Sequence, residues 1–300
     1  MVDVCLPGTG GMIPLVNRWL SCCWLEYQGK ATLIDCGEGT QIALKAAGLK
    51  LSRLETLLIT HYHADHVAGL PGLLLSLGNC NRTSPLTIIG PTGLHPIVSG
   101  LMAIAPVLPY PLCLLEWNDQ LPDQLDRNDI HISSLSLRHG MPCLGYRIAF
   151  KRKAIFDPDK ASALNVPRTM FHLLHEGQHV TLADGKTISP SMVLCGVRNP
   201  IQVCYCTDTG PVDTLIDFVK ECDLCILEAM HGDEALRGKM AEKGHLLFSD
   251  SALIAKRANV KRLWLTHYSP ALSEPAMYID SAQKIFPGAQ AAVDGQRITL

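Results

Sequence analysis

At 300 residues with 47% hydrophobic side chains, the chain can bury a large core, as one big domain or two modest ones. A formal net charge of −2 excludes a strongly basic nucleic-acid binder, although a local cationic patch remains compatible with it. Twelve cysteines scattered through so long and apolar a chain point to buried thiols in a reducing cytoplasm and exclude a small disulfide scaffold.

In chain order, Met1 to Cys5 lacks the charged and apolar regions of a signal peptide, and residues 2 to 5 read as a strand. Gly8-Thr9-Gly10-Gly11 has neither the Lys-Ser/Thr of a P-loop nor dinucleotide-fingerprint spacing, so it reads as a turn. Further strands are predicted at 31 to 35, 56 to 60, 86 to 89, 131 to 137, 144 to 150, 202 to 206, 224 to 227 and 262 to 266. Helical periodicity spans Gln41 to Ala47 with Gly48 as a stop, Val212 to Glu221 after Pro211, Ser249 to Ala258, and Glu274 to Phe286. The apolar stretches near 67 to 77 and 101 to 115 are short and broken by Pro or Gly, so no membrane span is expected. The pattern is α/β, without repeats or low-complexity tracts. Cys204-Tyr205-Cys206 and Cys222-Asp223-Leu224-Cys225 lack a second matching pair and read as core packing.

The segment with the densest chemistry is His61-Tyr62-His63-Ala64-Asp65-His66, after the apolar run Leu57 to Thr60. Residues two apart at a strand end point to one side, so His61 and His63 can reach one ion. If a helix begins near Asp65, then Asp65 and His66 lie on its first turn, within reach of a second ion about 3.5–4 Å from the first. Four ligand-type side chains in six residues are hard to satisfy in a core without metal. Other candidate ligands, His139, Asp208, Glu228 and His267, each fall just past a predicted strand. Strand ends are where open α/β sheets gather side chains from distant segments.

These motifs, with Asp35-Cys36-Gly37-Glu38-Gly39-Thr40-Gln41, Gly69-Leu70-Pro71-Gly72-Leu73, Gly90-Pro91, Gly145-Tyr146-Arg147, Asp208-Thr209 and Leu265-Thr266-His267, resemble the ribonuclease Z branch of the metallo-β-lactamase fold. The resemblance runs in matching order along nearly the whole chain. It implies a four-layer αββα sandwich of two facing mixed sheets, forming a single domain over 1–300 with an inserted arm at about 151–197. It implies that His61, His63 and His139 hold one ion, that Asp65, His66 and His267 hold the other, and that Asp208 bridges them. Asp35 corresponds to the buried acid that orients the ligand loop. Glu228 and His245, with Asp65 as a further participant, correspond to the catalytic acid–base groups.

The implied activity is a phosphodiesterase in which a metal-bridging hydroxide removes the 3′ trailer from precursor tRNA. Its cofactors would be two divalent ions, with zinc expected from the imidazole and carboxylate donors and manganese or iron as alternatives. A homodimer in the cytoplasm is the implied state. Some positions depart from the pattern: Leu227 stands where the family has His, Met230 where it has Thr, Leu246 and Leu247 where it has Ser and Thr, and Ala271 where it has Arg. Charge-assisted contacts to phosphate of about 1–3 kcal/mol each would be lost with them. The arm segment opens with Lys151-Arg152-Lys153 but carries few of the family's usual glycines. Its His172, His175 and His179 have no acidic or thiol partner at matching spacing and read as surface or packing residues. Two alternatives stay open: a hydrolase of a small phosphodiester, lactone or thioester on the same site, and a metal-holding interaction protein without turnover.

Overall fold

Alternation of side chains along strands decides the layering. In the strand Ile201–Cys206, Cys204 and Cys206 join a core with Leu215 and Val219 of a neighbouring helical segment, so Val203 and Tyr205, also buried, face the opposite way. Both faces of the sheet are therefore covered. The computed structural model describes residues 1–105, 107–117, 124–127 and 129–300.

The chain divides into two units, Met1–Ile148 with Gln202–Leu300, and Ala149–Ile201. In the larger unit one seven-stranded sheet runs, edge to edge, Gln296–Thr299, Val2–Gly8, Cys22–Tyr27, Lys30–Ile34, Leu54–Leu58, Leu86–Pro91 and Leu112–Trp117. Its last four strands are parallel and its first members antiparallel. The second seven-stranded sheet runs Ala289–Ala291, Leu263–Thr266, Leu224–Glu228, Ile201–Cys206, Cys143–Phe150, Ile130–Leu137 and Gln124–Arg127. Here too parallel and antiparallel pairs mix.

Helices cover the outer faces. Leu33, Leu57 and Ile88 of the first sheet pack with Leu44, Leu73, Leu77 and Val98 from the helices Thr40–Ala46, Leu70–Asn79 and Leu94–Met102. Leu227, Leu263 and Leu265 of the second pack with Ala252 and Ala255 of the helix Phe248–Arg257. Between the sheets, Tyr146 Oη donates to the Ile59 carbonyl at 2.6 Å and Leu144 N to the Thr60 carbonyl at 2.9 Å. This is the expected αββα sandwich.

Every predicted strand forms. The strands Cys22–Tyr27, Leu112–Trp117, Gln124–Arg127, Ala289–Ala291 and Gln296–Thr299 were not predicted, nor was the helix Leu70–Asn79. Cys22–Tyr27 is buried on both faces except at Glu26, so it shows no alternation to read. In Leu70–Asn79 the Gly and Pro content hides a helical stripe of Leu70, Leu73, Leu74 and Leu77. Pro71 falls in the first turn, where its missing N–H costs nothing. A Cβ on Gly72 would come within 2.6 Å of Gln41 Nε2 on the helix Thr40–Ala46, so the glycine lets that side chain lie close across the helix pair.

Cys204, Cys206, Cys222 and Cys225 are buried, reduced and part of one apolar core, and among the described residues no metal-type cluster includes a cysteine. Among those residues, no helix is long and apolar enough to cross a membrane.

The unit Ala149–Ile201 has its own small core, built on Ala161, Val166, Leu174, Val180, Ile188 and Val193. Two antiparallel ribbons, Ile155–Phe156 with Leu194–Cys195 and Val180–Thr181 with Thr187–Ile188, frame it. Asp157 caps the helix Pro158–Ala163, accepting from Asp159 N and Lys160 N. His172, His175 and His179 are exposed, with His175 against the Phe156 ring, and among the described residues they join no metal-type cluster.

Candidate metal centre

One end of the strands in both sheets delivers the predicted ligands to one place. His61 and His63 follow Leu54–Leu58, and the helix Ala64–Val67 carries Asp65 and His66 on a single turn. His139 and Asp208 each lie two residues past their strands, Glu228 ends Leu224–Glu228, and His267 follows Leu263–Thr266. Asp35, Asp208 and His267 all have positive φ, at 63, 58 and 60°. This left-handed step turns each side chain at the strand end, and it costs roughly 1–3 kcal/mol per residue unless the surroundings enforce it.

The nitrogens fall into two groups. His63 Nδ1 lies 3.0 Å from His61 Nε2 and 3.1 Å from His139 Nε2. In the second group, Asp208 Oδ2 is 3.3 Å from both His66 Nε2 and His267 Nε2, and Asp65 Oδ2 is 3.5 and 3.6 Å from the same two atoms. Donors about 2.1 Å from a tetrahedral ion are separated by roughly 3.4 Å, so both groups have the dimensions of a coordination shell. Asp208 also falls within reach of His61 and His66 together, which sets it between the groups.

Hydrogen bonding supplies an independent test. His66 Nε2, His267 Nε2 and Asp208 Oδ2 are buried without a hydrogen-bond partner, although they are 3.3 Å from one another in the pairs given above. Three converging orphaned atoms in a protein interior are costly unless a cation satisfies them. The donor set fits divalent metal ions, and the centre is a divalent metal site.

The opposite ring nitrogens are tied to buried carboxylates. His66 Nδ1 donates to Asp35 Oδ2 at 2.8 Å, and Asp35 Oδ1 accepts from Thr60 N at 2.8 Å. Glu228 is fully buried and accepts from His245 Nδ1 at 2.6 Å, His267 Nδ1 at 3.2 Å, Leu246 N at 3.1 Å and Thr209 N at 3.2 Å. These bonds fix which nitrogen of each ring faces the cluster.

Electrostatics follow from the crowding. Burial pushes the His66 pKa down, but Asp208 and Asp35 overcome it and hold it well above the ordinary range. Burial likewise opposes the rise at His267, which Asp208 and Asp65 push up to about 10. Burial and the neighbouring His66 lower His61 to about 2. Burial raises the Asp208 carboxyl, yet His267 and His66 hold it well below the carboxylate range. At His245, burial is outweighed by the bond to Glu228 and the pKa is raised.

Glycines admit the close approaches. A Cβ at Gly37 would meet the Asp65 carbonyl at 2.0 Å, and one at Gly11 would meet the His267 ring at 2.8 Å. The turn expected at Gly8 to Gly11 does not form: Gly8 ends the strand Val2–Gly8, Gly10 bridges Leu20 and Tyr268, and Gly11 lies against the His267 ring at the site. Its neighbour Met12 donates its backbone N–H to Asp65 Oδ2 at 2.7 Å.

A cavity of 610 Å³ opens over the cluster, lined by His63, Asp65, His139, Asp208, His245 and His267 on the ligand side. Met230, Leu236, Met240 and Ala271 give it an apolar wall, with Lys239 and Lys243 beside them. Glu228 is behind His245 and does not line it. Of the departures noted in the sequence, Ala271 and Met230 line the cavity, whereas Leu227 and Leu246 are wholly buried in the core. Those two leucines therefore remove no phosphate contact. Sequence reasoning missed Met12, His231, Lys239, Lys243 and Ser269 as lining residues, and only the helical spacing of the two lysines offered a signal.

The Anti-Pycsar protein Apyc1 family matches residues 2–97. Ribonuclease Z of Lachnospira eligens is 45% identical over 300 residues, covering 100% of this chain and 98% of its own. Ribonuclease Z of Clostridium kluyveri is 46% identical over 286 residues, covering 95% and 94%. Among solved structures, human tRNase Z, short form, matches with a TM-score of 0.71 at 25% identity over 99% of this chain and 98% of its own. The metallo-β-lactamase fold protein YhfI from Bacillus subtilis matches in fold, with a TM-score of 0.70 at 20% identity and the same coverage.

Proposed function

This chain belongs to the ribonuclease Z family of metal-dependent endoribonucleases, and on that premise we propose that it cuts the 3′ trailer from precursor tRNA. The observation that carries the proposal is the pair of donor groups at the floor of an open cavity, each with tetrahedral spacing. His61, His63 and His139 hold one ion, Asp65, His66 and His267 the other, and Asp208 is shared. The ions are zinc, in keeping with the imidazole-rich donors. Bound there, two such ions lower the pKa of water toward neutrality and neutralise charge on phosphodiester oxygens.

The chain's own residues do the rest. Asp35 and Glu228 fix the Nδ1 protons of His66 and His267, leaving each Nε2 lone pair for the cluster. Glu228 also holds His245 through Nδ1, so His245 Nε2 faces the cavity as the proton donor to the leaving 3′ oxygen. His245 is the catalytic acid. Glu228 acts through it as a positioning residue. Asp65 is anchored by Met12 N and serves as a ligand close to the reacting phosphate.

The unit Ala149–Ile201 corresponds to the family's RNA-gripping arm, with exposed Lys151, Arg152 and Lys153 at its start. The protein works as a cytoplasmic homodimer, and a purely monomeric sedimentation profile at micromolar concentration would exclude that state. Cleavage of a precursor tRNA by metal-loaded protein, lost on Asp65→Ala, tests the activity. No cleavage where a positive-control enzyme succeeds would refute it. A second reading, hydrolysis of a small phosphodiester, is favoured by Ala271 and the apolar wall. Turnover of bis(p-nitrophenyl) phosphate without RNA cleavage would select it.

A further inference from the structure

The catalytic cavity has an uneven distribution of positive charge. On one wall the exposed Ala271 leaves no cation. Among the described residues that line it, the Lys and Arg side chains are Lys239 and Lys243. They are four residues apart at the end of the helix Arg237–Glu242, and Lys243 N bonds the Lys239 carbonyl, so both side chains stand on one face about 5–6 Å apart at Cβ.

Their context distinguishes them from ordinary surface lysines. Arg237, at the start of the same helix, is engaged by Glu234, Asp250 and Ser249, whereas neither lysine ammonium has a partner among the described residues. The helix is fixed at both ends. Arg138 donates to the Ala241 carbonyl at 3.1 Å, Met240 packs in a cluster with Met230 and Leu247, and His245 N bonds the Met240 carbonyl at 2.9 Å. Lys239 and Lys243 are both exposed and line the cavity together with His245, on a helix end whose backbone is fixed in this way.

We infer that Lys239 and Lys243 are substrate-specificity residues that contact the phosphates flanking the scissile one on a polynucleotide strand. The inference rests on the phosphodiesterase reading of the same site. The metal ligands serve the scissile phosphate, which a small diester also presents. Only a polymer presents neighbouring phosphates to a lysine pair one helical turn apart, so the pair selects a polynucleotide over a small diester. Lysine suits this role as a point charge that follows a flexible backbone.

The test compares metal-loaded wild type, Lys239→Ala/Lys243→Ala and Lys239→Arg/Lys243→Arg. Kinetics are measured on precursor tRNA and bis(p-nitrophenyl) phosphate, and fluorescence anisotropy on a labelled single-stranded RNA oligonucleotide. In the alanine variant, the ratio of RNA to small-diester kcat/KM should fall about 10–100-fold, with the loss in KM. The dependence of log affinity on log salt should flatten by about 1 to 2, and the arginine variant should recover most of both losses. An unchanged ratio with unchanged RNA affinity would overturn the inference, as would equal losses on both substrates. If wild type cleaves no RNA, the endonuclease reading fails. The anisotropy arm then decides the lysine assignment by itself: weaker, less salt-dependent binding in the alanine variant supports it, and wild-type binding refutes it.

Discussion

Asp35→Asn separates the role of a buried charge from that of its shape. Asp35 is wholly buried at φ 63°, accepts from Thr60 N and Thr60 Oγ1, and receives His66 Nδ1 at 2.8 Å. Asparagine tolerates the left-handed backbone, and its single carbonyl oxygen can still serve Thr60. Its NH₂ then faces His66 Nδ1 and forces that nitrogen to accept. The ring proton moves to Nε2, the atom aimed at the metal cluster, and ligation by His66 competes with this tautomer. Loss of such a supporting hydrogen bond lowers metal affinity about 10–100-fold, or about 1.4–2.7 kcal/mol.

Asp35→Ala is less informative. It leaves the buried His66 Nδ1–H without its acceptor, at about 1–3 kcal/mol, and adds about 1–2 kcal/mol of left-handed strain. Together these are a sizeable part of the stability of a typical domain, about 5–15 kcal/mol. The assay is competition of wild type and Asp35→Asn with a chromophoric chelator, beside thermal melts of metal-loaded and stripped protein. Wild-type affinity and a wild-type metal-induced melting shift in the Asn variant would refute the tautomer argument.

Three further outcomes follow from the site. His245→Ala should lower kcat by about 10²–10⁴-fold while metal content, read by mass spectrometry, stays at the wild-type level. Because the bond to Glu228 raises the His245 pKa against burial, the acid form persists to higher pH than in a free imidazole, and kcat should fall as pH rises through the raised pKa. The associated ion-pair stability is fully present below 6.5 and is lost over the same rise. In Glu228→Gln the alkaline limb of the kcat profile should move to lower pH, and an unmoved limb would exclude this pairing as its cause. Restoring family residues should have opposite effects at two positions. Ala271→Arg, in the cavity, should strengthen RNA binding about 10-fold or more, whereas Leu246→Ser, in the core, should cost about 2–4 kcal/mol in a denaturant titration and gain no affinity.

The residues that converge at the site were legible because they are local or tied to strand ends. His61 through His66 is contiguous, and His139, Asp208 and His267 each follow a β-branched or apolar run that could be read. The edge strand Gln296–Thr299 was not legible, since a polar tetrapeptide becomes a strand only by pairing with Val2–Gly8. The helix Leu70–Asn79 was hidden by Gly72 and Gly78, whose presence answers to Gln41 and Pro109 across the packing interface. The departures at Leu227 and Leu246 looked like losses at the substrate site because sequence position cannot tell which face of a strand end or loop is core. Lys239 and Lys243 carried a helical spacing but no sign of the cavity they border.

The candidate ligands do not come from one sheet. His61, His63, Asp65 and His66 follow a strand of the first, while His139, Asp208 and His267 follow strands of the second. Each donor group draws on both, and the shortest such closure, His63 to His139, spans 76 positions. An ion held by either group would be a reversible cross-link between the two halves of the sandwich, one that could not close until both had formed. Metal loading then reports completed folding. Removing the ions should loosen this rim first, so amide hydrogens near Thr60 and Thr209 should lose protection before those at the centre of the strands.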